Sequence, residues 1–373
     1  MIASVLAQSS GFVRPDIDWH ALAPEIILTA TIAIALLLDL TTSDADKGIV
    51  SSVAGLGVLA AIVPLVTLGL DDSSRVMFGG AYVVDDFALV LKGLFLVAAY
   101  LTILLSTNSI AEGDYYEGEY YLLLVSSVLG MTVMASARDL ITIFVALEML
   151  SIPAYLLASW RKRAKTGIEG GMKYYLMGVF ASAVMLYGMS LIFGGTGSTL
   201  LVDIGRSVSG SFGDSPVAVV GIIFTLVGFA FKVSAVPFHN WAPDTYEGAP
   251  TPVTAFLSVA SKSAGFVAIL QLVFIGFLGR AETIRPFMFV LATLTMTVGN
   301  MIALRQTNIV RLFAYSSVAQ AGFILAPLAV VSATDGDTSE KVLQSVVMYL
   351  LVYTVVNLGA FAVIIAVSRR TQS

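Results

Sequence analysis

Among the ionisable side chains within the apolar stretches of this 373-residue chain, six stand out: Glu25, Lys92, Glu148, Lys173, Lys232 and Lys262. An ionisable group inside a membrane is costly, so it usually faces a polar interior or a water path and works there. Lys232 follows the apolar run 216–230 and opens the segment Phe231-Lys232-Val233-Ser234-Ala235-Val236-Pro237-Phe238-His239-Asn240-Trp241-Ala242-Pro243-Asp244. Pro237 removes one backbone hydrogen bond from a helix and frees the carbonyl four residues back, that of Val233. Lys232 is therefore expected beside a helix that breaks at Pro237. Broken helices around a midplane charge are a usual way to build an ion site in a transporter. The competing reading is a lysine that snorkels from a helix end to the interface.

Glu148 lies nine residues past Asp139, about 13–14 Å along a helix, which is near the middle of a hydrocarbon core about 30 Å thick. An unpaired carboxylate at that depth would take up a proton, and a lysine is its natural partner. Lys262, in Ser258-Val259-Ala260-Ser261-Lys262-Ser263-Ala264-Gly265, is equally deep. Its small and hydroxyl neighbours permit close helix packing and room for water. One carboxylate and two lysines at similar depth form a proton relay in outline. A lysine taken out of water holds its proton less firmly, and a nearby carboxylate restores its hold. A modest movement of Glu148 towards or away from Lys232 would thus switch transfer on to Lys262. His239 would link the relay to the cytoplasmic face, or serve as an ordinary hydrogen-bonded loop residue. For Lys92 and Lys173, each within about two turns of a run's start, snorkelling competes with function. Glu25, just after Pro24, is accounted for by the helix dipole.

The elements that carry these groups follow from composition. The chain is 57% hydrophobic and 12% charged, against about 25% charged in soluble domains, and its mean hydropathy is +0.90. An all-α polytopic membrane protein is expected. Runs long enough to cross a bilayer fall at 23–40, 49–70, 86–106, 119–137, 139–159, 170–194, 216–236, 251–279, 285–303, 308–331 and 341–367. That makes about eleven transmembrane helices, the seventh of them broken. Gly195 to Ser215 reads as an extramembrane loop. The cluster Arg161-Lys162-Arg163-Ala164-Lys165, placed in the cytoplasm, puts the N-terminus outside. The opening MIASVLAQSSGFVRP lacks the basic n-region of a cleaved signal peptide.

Several functions are excluded. A net charge of -5 does not suit a nucleic-acid binder. With no cysteine and two histidines, His20 and His239, the chain cannot hold iron–sulfur clusters, cysteine zinc sites or disulfides. Gly55-Leu56-Gly57-Val58-Leu59-Ala60 matches a loose dinucleotide pattern but sits inside an apolar run, where that motif has no context. There is no phosphate loop and no metal-ligand spacing.

Four long stretches carry a family resemblance: Gly171–Ala183 (GMKYYLMGVFASA), Pro237–Val253 (PFHNWAPDTYEGAPTPV), Phe256–Phe266 (FLSVASKSAGF) and Arg311–Gln320 (RLFAYSSVAQ), with Tyr353–Ala362 (YTVVNLGAFA) agreeing. The chain resembles the antiporter-like membrane subunits of respiratory complex I, the proton-pumping NADH:quinone oxidoreductase. Among these it is most similar to subunit N, the counterpart of mitochondrial subunit 2. The resemblance implies a fifth-helix carboxylate at Glu148, a lysine of the broken seventh helix at Lys232, a central eighth-helix lysine at Lys262 and a sixth-helix lysine at Lys173. It implies inverted five-helix repeats. On this chain they would give an N-terminal three-helix flank over 1–118, a first repeat with the ion site over 119–280, and a partial second repeat over 281–373. It implies no cofactor here, with flavin, iron–sulfur clusters, NADH and quinone in other subunits. Partners would be other membrane-arm subunits, further antiporter-like ones included, and the lipid of an energy-transducing inner (plasma) membrane.

Two departures stand out. The family pattern runs to fourteen helices with a further lysine in the twelfth, whereas this chain stops at Ser373, after the eleventh run, so truncation or a separate polypeptide carrying the rest is expected. Gln320 stands where the family often has a histidine, and glutamine carries no proton at ordinary pH. The alternative function is a subunit of a multisubunit sodium/proton antiporter, which shares the broken helix and its lysine.

Overall fold

The computed structural model describes residues 17–42, 48–71, 73–111 and 117–371. The opening stretch examined for a signal peptide lies outside these residues up to position 16. The described chain is a bundle of membrane-length helices: α1 Ala23–Thr41, α2 Gly48–Leu70, α3 Asp86–Ala111, α4 Glu117–Ser136, α5 Leu140–Ala158 and α6 Lys165–Thr196, with the short α7 Leu201–Val208 following. Then come α8 Pro216–Lys232, α9 Trp241–Gly248, the long α10 Thr251–Gly276, α11 Ala281–Ala303, α12 Ile309–Leu325 and α13 Gly336–Thr371. Among the described residues, ten helical segments are long and apolar enough to cross a membrane, and Pro216–Lys232 is a shorter apolar helix. These correspond one for one with the eleven runs in the sequence. The seventh is short because it breaks.

Sequence sets the ends of these helices. In lipid every backbone group needs an internal partner, and helix starts carry unpaired N–H groups. Asp139 accepts from the amides of Ile141 and Thr142, and Asn308 from those of Val310 and Arg311. Ser215 caps α8 ahead of Pro216, the position where a proline is best tolerated. The Gly55–Ala60 pattern lies in the middle of α2. There Gly57 faces Thr31 of α1 so closely that a Cβ would overlap its side chain, so the glycine serves helix packing.

The stretch Gly195 to Ser215 is not an irregular loop. It folds into α7 and a 3-10 turn at Ser211–Asp214. Leu201, Ile204 and Val208 are buried; their three- and four-residue spacing makes one apolar stripe. The Gly- and Ser-rich flanks hid this amphipathic turn. At the same end of the bundle, strands β1 Arg75–Met77 and β2 Tyr82–Val84 form an antiparallel hairpin.

α10 is the axis of the bundle, with 89% of its most apolar stretch buried. It is not a regular α-helix. π-turns occupy Leu257–Ser261 and Leu272–Gly276, so Lys262 directly follows the first. Single π-turns within α-helices are frequent at functional sites.

Candidate functional site

The site is built around the break between α8 and α9. α8 ends at Lys232, with Val233 as its cap and Ser234 at φ 60°. A left-handed residue costs an L-amino acid roughly 1–2 kcal/mol and stops a helix. Pro237 bars the residue before it from helical conformation, so the chain runs on irregularly to Asn240. The break was expected to free the carbonyl of Val233; the groups seen to find new partners are others. The Phe231 carbonyl accepts from the Trp241 indole at 3.1 Å, and the Val236 amide donates to Thr295 Oγ1 of α11 at 2.9 Å. Both lie in the interior, where an unpaired peptide group costs about 1–3 kcal/mol.

Lys232 is buried. Its ammonium donates to Ser151 Oγ of α5 at 2.9 Å and to the Tyr174 hydroxyl of α6 at 3.0 Å. Tyr174 is held flat against Trp241, with ring centroids 4.2 Å apart and 13° between planes. The residue that bonds back across the break thus also fixes the lysine's partner. Gly265 of α10 faces the Lys232 stem, and a Cβ there would lie 3.1 Å from Lys232 Cγ. A larger residue would push the ammonium off its partners.

Glu148 and Lys232 do not meet as an ion pair. Glu148 is half-buried and accepts from Ser182 Oγ of α6 at 2.7 Å. Its charge still acts on Lys232, and Ser151 stands one helical turn beyond it on α5. In place of the direct contact expected from the sequence, each has its own serine: Ser182 donates to Glu148, and Ser151 accepts from Lys232.

Lys262 is also buried. It donates to the Ser317 carbonyl of α12 at 2.8 Å and to the Ser317 hydroxyl, which also receives the Tyr353 hydroxyl of α13 at 2.8 Å. Among the described residues no ion pair forms at either deep lysine, and each ammonium is held by neutral oxygens. Between them, Ser261, the residue before Lys262, lies within interaction range of the Tyr174 hydroxyl. Ser151, Tyr174, Ser261, Ser317 and Tyr353 were not singled out from the sequence. Serines and tyrosines within apolar runs carry no signal until their partners are seen.

Lys173 does not join this group. Its ammonium, 42% exposed, pairs with Glu169 and Asp244, both at 2.6 Å. Asp244 also takes Arg311 at 2.9 Å, and Arg311 reaches Glu247 at 2.7 Å. Asn308 donates to Glu247 at 3.1 Å. The network ties α6, α9 and α12 at the end of the bundle that carries Arg161 to Lys165. It anchors the half-helix beyond the break. Partly exposed ion pairs contribute little individually, so Lys173→Ala is expected to slow ion transport only about twofold. Transport assays in which it matches the loss at Lys232 would contradict this placement. His239 is buried in the break, its ring edge-on to Tyr315 with centroids 6.4 Å apart, and its Nδ1 has no hydrogen-bond partner among the described residues. It bonds to neither deep lysine. Gln320 accepts from the Tyr349 hydroxyl.

The remaining two charges overturn their sequence readings. Lys92 is wholly buried, does not snorkel, and pairs with Glu25 at 2.9 Å. Glu25 is therefore more than a dipole-satisfying carboxylate. Among the described residues, no cluster of three metal-ligating side chains occurs.

Three comparisons bear on this geometry. Residues 137–373 match the family model described as NADH:quinone oxidoreductase/Mrp antiporter, transmembrane. The chain is 41% identical over 354 residues to "NADH-quinone oxidoreductase subunit N" of Rubrobacter xylanophilus, covering 94% of this chain and 72% of that one. It is 44% identical over 344 residues to the protein of the same name from Moorella thermoacetica, covering 92% and 70%. A chain of respiratory complex I from Thermus thermophilus superposes with a TM-score of 0.74 at 33% identity, covering 91% of this chain and 70% of that one.

Proposed function

We infer that this chain, which belongs to the NADH:quinone oxidoreductase/Mrp antiporter transmembrane family, is a subunit N of NADH:quinone oxidoreductase and moves protons across the plasma membrane. It is a multi-pass, non-redox subunit of that enzyme. Its partners are the other membrane-arm subunits, and flavin, iron–sulfur clusters, NADH and quinone belong to other chains of the complex. The domain reading that goes with it is a three-helix flank over 1–118, a repeat carrying the ion site over 119–280, and the start of a second repeat over 281–373.

The observation that carries the mechanism is the pair of buried lysines held only by neutral oxygens. A carboxylate would lock a buried ammonium as an ion pair; hydroxyls hold it without a fixed counter-charge and can themselves both accept and donate a proton. Glu148 stands one helical turn from Ser151, which accepts from Lys232. As Glu148 draws nearer or gains a positive neighbour, the balance at Lys232 shifts, and about 1.4 kcal/mol changes proton occupancy tenfold. The proton leaves the Lys232 ammonium by way of the Tyr174 hydroxyl. Tyr174 donates its own proton towards Ser261 as it accepts one; Lys262, once it has released its proton and stands as the neutral amine, takes up the equivalent and becomes an ammonium again. Buried polar groups with spare capacity at Ser234 and Ser263 suit ordered water, the usual partner of such groups. Lys173 anchors the half-helix beyond the break through Glu169 and Asp244, and His239, buried in the break, serves entry rather than transfer.

Copurification in mild detergent tests the assignment. Flavin and iron–sulfur subunits are expected alongside the chain; a set of small antiporter subunits alone would contradict it and favour sodium/proton exchange. Tyr174→Phe tests the path. It keeps the stack on Trp241 and removes one hydroxyl, and it is expected to lower NADH-driven proton delivery about tenfold with assembly intact. Full delivery would remove Tyr174 from the route.

A further inference from the structure

The Glu25–Lys92 pair lies outside the relay and has no part in it as described. Around it, four elements converge. Glu25 comes from the first turn of α1, Tyr82 from β2, Lys92 from α3, and Ser136 from the end of α4. The Lys92 ammonium, 2.9 Å from Glu25 Oε1, donates to the Tyr82 hydroxyl at 3.0 Å. Tyr82 interacts in turn with Ser136 and Glu25. Two further charges face Lys92, Asp85 and Arg138, which pair with each other at 2.8 Å. The Asp85 side chain is 34% exposed, so the cluster runs from a fully buried lysine to the surface at the hairpin end.

The cluster is a poor structural rivet. Burying an ion pair costs several kcal/mol per ion, and a well-packed apolar pair in its place is often neutral or stabilising. A pair retained for stability would also have its acceptors filled. Here Glu25 Oε1 takes the Lys92 ammonium at 2.9 Å, while Glu25 Oε2 is buried without a hydrogen-bond donor in good geometry among the described residues. An intramembrane charge with spare acceptor capacity is a functional site by default.

A physical link joins the cluster to the axis of the bundle. Gln271, nine residues past Lys262 on α10, donates to the carbonyls of Met134 and Ala135, both at 2.9 Å. The Ala135 carbonyl also accepts from Arg138 at 3.1 Å. Gln271 sits just before the second π-turn, so the helix that bears Lys262 is pinned at its far end to the residues around Tyr82.

We propose that Glu25, Lys92 and Tyr82 form a second proton-binding site, which exchanges protons with the aqueous phase at the Asp85–Arg138 face and is tied through Gln271 to the helix carrying Lys262. This rests on the proton-translocation reading. In the resting pair Glu25 is a carboxylate and Lys92 an ammonium. A proton arriving at Glu25 adds to one carboxylate oxygen, breaks the ion pair and leaves Lys92 the only charge. Its departure past Asp85 restores the pair; one proton enters, one leaves, and no electrons move. Movement of α10 as Lys262 changes charge reaches Arg138 through the shared Ala135 carbonyl, and so alters the partner of Asp85 at the exit.

The double variant Glu25→Gln, Lys92→Met in the assembled complex tests this, because it leaves no lone buried charge. In membrane vesicles it is expected to keep NADH oxidation by an artificial acceptor and to lose about tenfold in NADH:quinone turnover and proton delivery. Unchanged turnover in an assembled variant overturns the proposal. If the double variant does not assemble, Tyr82→Phe decides: it keeps the ion pair and the ring, so a loss of turnover supports the site and full turnover overturns it. Lys232→Ala measured alongside separates the two ideas. Loss at Lys232 with none at the pair removes only the second site, and normal pumping by Lys232→Ala removes the relay itself.

Discussion

Lys232→Ala is expected to cut NADH-driven proton delivery and coupled quinone turnover about a hundredfold, with the complex still assembled. The lysine is buried and offers its protons to Ser151 and Tyr174; alanine offers neither a charge nor a donor. Folding tolerates the change better than transport does. Both orphaned partners are hydroxyls, and leaving such groups unpaired costs about 1–3 kcal/mol, against the large buried core that surrounds them. Lys232→Arg distinguishes a proton carrier from a fixed charge. Guanidinium keeps the positive charge and does not deprotonate in proteins, so arginine is expected to fail as alanine does. Proton uptake by vesicles, with artificial-acceptor reduction as the assembly control, reads both variants. Full pumping by Lys232→Arg would mean that the site needs a charge and not a transferable proton.

Lys262→Ala is expected to have an effect of similar size, about a hundredfold, whereas Ser317→Ala is expected to lose much less. Ser317 serves Lys262 twice, through its carbonyl at 2.8 Å and through its hydroxyl. Alanine removes only the hydroxyl and leaves the carbonyl, together with a Tyr353 hydroxyl deprived of its acceptor. One net hydrogen bond is worth about 0.5–1.5 kcal/mol, so a loss of roughly threefold to tenfold follows. Equal losses in the two variants would show that Ser317 carries the proton and does not merely hold the lysine.

The two expectations share a structural cause. The α8–α9 break does more than expose a lysine. Trp241, which adds a second donor to a Phe231 carbonyl already taking the Ser234 amide, also stacks on Tyr174, so one indole ties the break to the proton path. Likewise the π-turn at Leu257–Ser261 ends on Ser261, the residue facing Tyr174, directly before Lys262. Irregular backbone at membrane depth is tolerated where it is buried in protein or lines a cavity, and in this chain it falls at the proposed path.

The crossings, the position of the break and the depth of Glu148, Lys232 and Lys262 were all legible in the sequence. Each is a property of one segment: a run of apolar residues has the length of a bilayer, and a charge has a place along it. Family membership was legible for the same reason, since the Pro237–Val253 stretch is local. Which groups touch was not. Lys173 was open between snorkelling and function, and it joins Asp244, 71 residues on. Glu148 looked like the partner of Lys232, yet Glu148 takes Ser182 and Lys232 takes Ser151 and Tyr174. Glu25 and Lys92 each had a bland reading, and only their meeting across α1 and α3 gives them a role. Contact depends on the order of helices around the bundle and the angle at which each presents its side chains, and every apolar helix in lipid can satisfy its backbone alone. Local sequence therefore fixes each span and leaves its neighbours to packing, so the tertiary structure alone decides which buried charges share a proton.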